Sequence, residues 1–251
     1  LNVAIGESAM GTGSVAGASY NTAIGYQSLT DITSGDYNVA LGLFSADSLT
    51  TASKCTIIGA SAGRAITTTG GSNEHDGTVA VGYASLTALT SGQGNVAIGY
   101  LALTAEDDGD YNTAVGYQAL TTQNGTAGNT GNTAVGWQSG TAVTTGRYNT
   151  LLGKSAGEAI TTGDYNTCIG IGAGNNFDEE SYNVFIGGAS GAINGADKCV
   201  AVGADTMGGA ATQDGTIAIG YLALAALTSG SKNIAIGYQA LQHNDTGTDN
   251  I

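Results

Sequence analysis

Two short stretches of this 251-residue chain carry the pattern of a serine nucleophile, Gly59-Ala60-Ser61-Ala62-Gly63 and Gly153-Lys154-Ser155-Ala156-Gly157. A serine in Gly-x-Ser-x-Gly attacks only when a strand-to-helix turn exposes it and a histidine takes its proton. The chain has two histidines, His75 and His243, and neither lies near either serine in sequence. His75 falls in Asn73-Glu74-His75-Asp76, which offers two or three metal ligands where zinc takes three or four converging ones. A solvated loop is the expected state there. Acidic triplets stand at Glu106-Asp107-Asp108 and Asp178-Glu179-Glu180. Such turns also suit calcium, but no EF-hand or Gly-Asp nonapeptide pattern accompanies them. The expectation is therefore no catalytic residue, no metal and no cofactor.

Composition narrows the partners. The formal charge is −14, from 20 acidic and 6 basic residues. A surface that binds nucleic acid clusters Lys and Arg, so neither nucleic acid nor an acidic membrane is an expected partner. No apolar run approaches the roughly 20 residues of a bilayer-spanning helix. The chain has 42 Gly and no Pro, with an apolar content of 41%. That is too hydrophobic for a disordered linker, and proline is the residue that central strands exclude.

The elements that must position all these groups are set by a repeat. The motif Asn-[Thr/Val]-Ala-[Ile/Val]-Gly ends on anchor glycines Gly6, Gly25, Gly42, Gly59, Gly82, Gly99, Gly116, Gly136, Gly153, Gly170, Gly187, Gly203, Gly220 and Gly237, most of them 17 residues apart. Side chains alternate across a strand. In Tyr20-Asn21-Thr22-Ala23-Ile24-Gly25-Tyr26 one face carries Tyr, Thr, Ile and Tyr, and the other carries Asn, Ala and Gly. The first face is expected to be packed in the core and the second to be bare, open to close approach by another chain. Four residues after the anchor, the column holds mostly Leu or Met, but Gly at 63, 140, 157, 174 and 191. In four of those repeats an apolar residue follows three places later (Ile66, Val143, Ile160, Phe177), which reads as volume compensation. All twelve Tyr fall just before the Asn or just after the anchor Gly, the regularity of a structural ladder more than of a sugar site.

Each repeat thus reads as a strand, a turn, a second short strand and a return turn. Seventeen residues give roughly 56 Å of contour, and fourteen coils about 4.8 Å apart give a rod of roughly 65 Å. The expected fold class is an all-β parallel β-roll or β-solenoid, one repeat array over 1–251. That geometry sets the acidic triplets about 19 Å apart, beyond the roughly 5–9.5 Å of a glycosidase pair. It also keeps Cys55, Cys168 and Cys199 too far apart for a bridge. The chain opens inside one repeat and closes at the start of another, as a segment of a longer fibre would.

Asn-Val-Ala-Ile-Gly (2–6, 95–99) and Asn-Thr-Ala-Ile-Gly (21–25) resemble the repeats of YadA-like trimeric autotransporter adhesin heads. Gly-Asp-Tyr-Asn-Thr-Ala-Val-Gly-Tyr-Gln-Ala-Leu (109–120) is similar to repeats of phage tail fibres and tail-fibre-like bacterial surface proteins. The resemblance spans essentially the whole chain. It implies a homotrimer of left-handed rolls, extracellular on a virion or a cell surface, with a structural and attachment role. The insertions 11–19, 64–77 and 121–131 break the 17-residue rule, and insertions in repeat proteins often line a binding face. Asn73, Glu74, His75, Asp76, Gln123 and Asn124 are accordingly the candidate contacts to a cell-surface glycan. Two other readings are a monomeric ice-binding solenoid, which needs a regular Thr array, and a polysaccharide-cleaving tailspike, which needs paired carboxylates.

Overall fold

A computed structural model describes every residue except 12–14, 16, 68–74, 126–127, 192, 194, 210–211 and 213. The chain forms two compact units, Leu1–Gly131 and Asn132–Ile251, and each is a parallel β-solenoid. In the first, β1 (Val3–Ile5), β2 (Thr22–Ile24), β3 (Val39–Leu41), β4 (Thr56–Ile58), β5 (Val79–Val81), β6 (Val96–Ile98) and β8 (Thr113–Val115) follow one another in a parallel sheet. The two-residue strands β7 (Gly109–Asp110) and β9 (Gly128–Asn129) pair beside it. In the second unit the sheet runs from β10 (Thr133–Val135) through β11 (Thr150–Leu152), β12 (Thr167–Ile169), β13 (Val184–Ile186), β14 (Val200–Val202) and β15 (Ile217–Ile219) to β16 (Ile234–Ile236). Register follows the motif: Val3 pairs with Thr22 and Thr56 with Val79 although insertions intervene. The extra residues leave the sheet untouched because a parallel ladder constrains only the strand.

The anchor glycines explain why the motif ends as it does. Gly42 has φ +135°, and a Cβ there would lie 2.6 Å from the carbonyl oxygen of Gly59 in the next coil. No L side chain combines that backbone with that contact. Beyond the anchor the expected second strand is absent. The residues two and four places on, such as Gln27 (φ 51°) and Leu29 (φ 51°) or Leu101 (φ 54°) and Leu103 (φ 51°), lie in the left-handed region. Such alternation makes a run of tight turns instead of an extended limb. It is held by amides that point to opposite neighbours: Gln27 donates to the Glu7 carbonyl of the preceding coil and Leu29 to the Ser45 carbonyl of the next. Each left-handed non-Gly residue costs on the order of 1 kcal/mol, offset here by repetition of the same inter-coil bonds.

The faces of the strand are the reverse of the expected arrangement. Ala23, Ala40, Ala80, Ala97 and Ala114 are fully buried inside their coils, with Asn21 and Asn38, while Tyr20, Tyr26, Tyr83 and Ile98 are exposed. The reason is width. The interior is filled from the turn side by Leu29 and Ile32, or Leu86 and Leu89, so the strand facing them has room only for small side chains. The expected compensation is present, since a Cβ at Gly63 would meet Ile66 at 2.8 Å and one at Gly157 would meet Ile160 at 2.8 Å, and a second column joins it. A Cβ at Gly157 would meet Leu151 at 2.6 Å, and one at Gly191 would meet Phe185. Large residues thus stand two before the anchor (Ile57, Leu151, Cys168, Phe185) in coils that carry Gly four after it. Ala faces Leu, and Ile or Phe faces Gly, across a core of constant volume.

The Asn column braces each coil. Asn38 Nδ2 donates to the Ala52 carbonyl of its own coil at 2.8 Å, and its Oδ1 accepts the Cys55 amide of the next at 2.9 Å. Asn149 and Asn166 repeat the scheme in the second unit. One buried side chain satisfies two backbone groups that the sheet cannot reach.

Candidate functional site

The feature with functional potential in both units is the outer face of the main sheet. Three columns point outward from each coil: Thr, Val or Ile three before the anchor, Ile, Val or Leu one before it, and often Tyr one after it. Neither strand column contains a charged residue. Ile98 is 38% exposed and Tyr83 55%, values far from those of a folded core. The aromatic rings stack along the coil axis. Tyr83 and Tyr100 lie 5.4 Å apart between centroids, and Tyr100 and Tyr117 lie 5.2 Å apart, nearly parallel. The column before the Asn stacks likewise, with Tyr148, Tyr165 and Tyr182 at 4.9 and 5.0 Å. Offset stacking of this kind is worth about 0.5–1.5 kcal/mol per pair beyond area burial. Each ladder still leaves half its surface to solvent. A monomeric protein rarely exposes an apolar strip of this extent without a partner for it.

The six loop residues expected to contact a ligand part company. Asn73 and Glu74 lie outside the described residues. His75 is buried, its Nδ1 2.9 Å from the Gly92 carbonyl and its Nε2 2.9 Å from that of Thr90, so the ring bridges its loop to the next coil. Asp76 accepts the Ser53 amide at 2.7 Å and lies 3.8 Å from Lys54 Nζ. Asp36, Asp110 and Asp164 do the same for the amides of their own preceding coils, so Asp76 belongs to a column of turn braces. Gln123 is buried and donates to Asn112 Oδ1 at 2.9 Å. Asn124 alone of the four described residues is exposed. His75 and Gln123 stand three coils apart and form no common pocket.

The serine pattern dissolves into the repeat. Ser61 (φ 57°) and Ser155 (φ 52°) occupy the left-handed position two after the anchor, on a turn limb with no helix behind it. All three cysteines are free and buried. Burial pushes the Cys55 thiol up to about 12 and raises those of Cys168 and Cys199, so none is a nucleophile.

One group was missed by the sequence reading. Glu106 is fully buried and not a solvated turn residue. It stands seven after its anchor, the column that holds Ile32, Leu49, Ile66 and Leu89 in earlier coils and Gln123 in the next. Column alignment alone would have shown a carboxylate at a core position. Its Oε1 accepts the amides of Gly109 at 2.6 Å and Asp108 at 3.2 Å, and burial raises its pKa.

No helix among the described residues is long and apolar enough to cross a membrane. No family model, no curated protein and no solved structure matches the chain.

Proposed function

We propose that this chain is the shaft of a self-associated extracellular attachment fibre, a homotrimer in which the outer sheet faces of three copies pack together. The observation that carries the reading is the half-exposed apolar strip along the outer face in each unit, whose two strand columns are uncharged and whose third column carries charge only at Glu7 and Lys154. Its side chains recur at the coil spacing, in register from strand to strand. A surface of matching period is what a second and third copy of the same chain supplies, and closed symmetry then removes the strip from water without leaving a new sticky face. Charges stay in the turns, where −14 per chain keeps assembled fibres soluble and apart. The resemblance to tail-fibre and adhesin-head repeats supports the same assembly on a virion or cell surface. Attachment to a cell-surface glycan falls to exposed insertion residues such as Asn124. The reading gives the chain no catalytic role: its serines and thiols serve the stack.

Disulfide trapping tests the proposal. Ile98→Cys is expected to form interchain disulfides on mild oxidation, and Asn124→Cys, on an exposed loop, is not. Trapping at Asn124 without trapping at Ile98 would remove the outer face from the interface.

A second reading gains one observation. Thr133, Thr150 and Thr167 lie in register on the outer face, where an ice-binding array would have to be. The run stops at Val184, Val200 and Ile217, which favours the fibre. Thermal hysteresis from a monomeric sample would reverse that preference.

A further inference from the structure

We infer that the two columns flanking the outer strand face are the mating edges of the assembly. The column five before the anchor in one copy packs against the column one after the anchor in the next copy, at the same coil. The inference rests on the self-association proposed above and adds which residues meet.

The two columns offset each other in size, coil by coil. Gly stands five before the anchor in four coils, at Gly77, Gly94, Gly131 and Gly215, and those coils carry Tyr83, Tyr100, Trp137 and Tyr221 one after it. A small residue stands one after the anchor in three coils, at Ala60, Gly188 and Ala204, and those coils carry Lys54, Tyr182 and Lys198 five before it. No coil is small in both columns. Charge follows the same rule. Lys232 stands opposite Tyr238 and Lys154 opposite Tyr148, so no coil has a cation in both.

Contacts within one chain do not account for this match. Six residues separate the columns, up to roughly 20 Å along a strand, and the two strand columns stand between them. Nor does the backbone call for glycine. Tyr20 (φ 62°), Lys54 (φ 61°), Tyr182 (φ 63°) and Gly94 (φ 62°) share one left-handed conformation five before the anchor. A Cβ at Gly94 would meet the Tyr111 ring of the next coil, but one at Gly77 or Gly215 would meet nothing within 4 Å. Those glycines leave gaps open to solvent, while Tyr83 and Tyr182 are 55% and 54% exposed. Closed symmetry brings the edges together, because rotation without translation sets each coil against the same coil of the next copy. A ring on one edge then fills the gap on the other, with the complementarity of a packed interface.

Paired cysteines test which residues meet. The full chain carrying Gly77→Cys with Tyr83→Cys is expected to close into a covalent trimer on mild oxidation, seen on a denaturing gel. Gly77→Cys with Tyr117→Cys, two coils and roughly 9.6 Å out of level, is not. A swap tests the packing by sedimentation equilibrium. Gly77→Tyr alone sets two rings in one gap and should weaken self-association about tenfold or more, a coupling usual for residues in contact. Gly77→Tyr with Tyr83→Gly copies the Tyr182–Gly188 coil and should return to within about threefold of the parent, because coupled changes do not add. A trimeric parent whose 77/83 pair stays unlinked, or whose 77/117 pair links instead, would overturn the mating of these edges and leave the self-association standing. So would a swap no better than Gly77→Tyr alone. A parent that sediments as a monomer removes both.

Discussion

At the scale of single residues, the motif is a set of backbone solutions more than a set of side-chain contacts. Asn at the first position is legible as a repeat but not as a brace, because its two partners lie 14 and 17 residues on. Asn38→Ala leaves the Ala52 carbonyl and the Cys55 amide buried without partners. It should cost about 2–4 kcal/mol in urea unfolding, in line with roughly 1–3 per unsatisfied buried group. A loss below about 0.5 kcal/mol would deny the brace. Gly42→Ala combines positive φ with a clash, while Gly77→Ala has positive φ (+80°) and open space. Gly42→Ala should therefore lower the thermal midpoint far more than Gly77→Ala. Cys55 and Cys199 stand in the Asn column and Cys168 in the Ala column, and all three are free and buried. A thiol reagent at pH 8 should label none of them until denaturant is added. Cys55 also makes stability depend on pH. Its folded value of about 12 stands above the ordinary 9.0, so the unfolded chain ionises first. The contribution is full below pH 9 and is lost as pH rises toward 12. The stability of the parent chain relative to Cys55→Ala should fall across that window.

At the scale of the coil, the sequence contained the answer to the question it seemed to leave open. Strand alternation gives two faces but does not say which is inside, and β-branched and aromatic residues favour core and strand alike. The exceptions decide it. Ile57, Leu151, Cys168 and Phe185 replace Ala in coils where Gly63, Gly157, Gly174 and Gly191 replace Leu, which makes sense only if the two columns touch. The left-handed limb was less legible, since Leu, Gln and Tyr do not announce positive φ as Gly or Asn does; only the inter-coil ladder imposes it. A double-mutant cycle follows. Ala23→Ile alone overpacks its coil and Leu29→Gly alone leaves a cavity, at about 1–3 and 2–5 kcal/mol. The double variant copies the Ile57–Gly63 coil, so it should lose at least 1 kcal/mol less than the sum of the two. Strict additivity would mean that the columns do not share a core.

At the scale of the whole molecule, the repeat period and the parallel sheet were readable because one spacing recurs along the chain and a solenoid is built from nearest-neighbour terms. The insertions were readable as insertions, but not their use. His75 and Gln123 turn inward because the coil core must be closed over a longer loop, and only Asn124 of the four described candidates is left at the surface. Turning the strand inside out relocates the interface too. The face expected to be bare and open is packed, and the face expected to be core is partly exposed, so the proposed interface lies there. Replacement of Ile98 by Glu puts a charge on that strip at no cost to the coil interior. The account therefore rests most directly on the mass of the chain in solution by sedimentation equilibrium. It predicts three chains of 24.7 kDa for the parent and dissociation toward one for a folded Ile98→Glu variant. A parent that sediments as a folded monomer at micromolar concentration would contradict it.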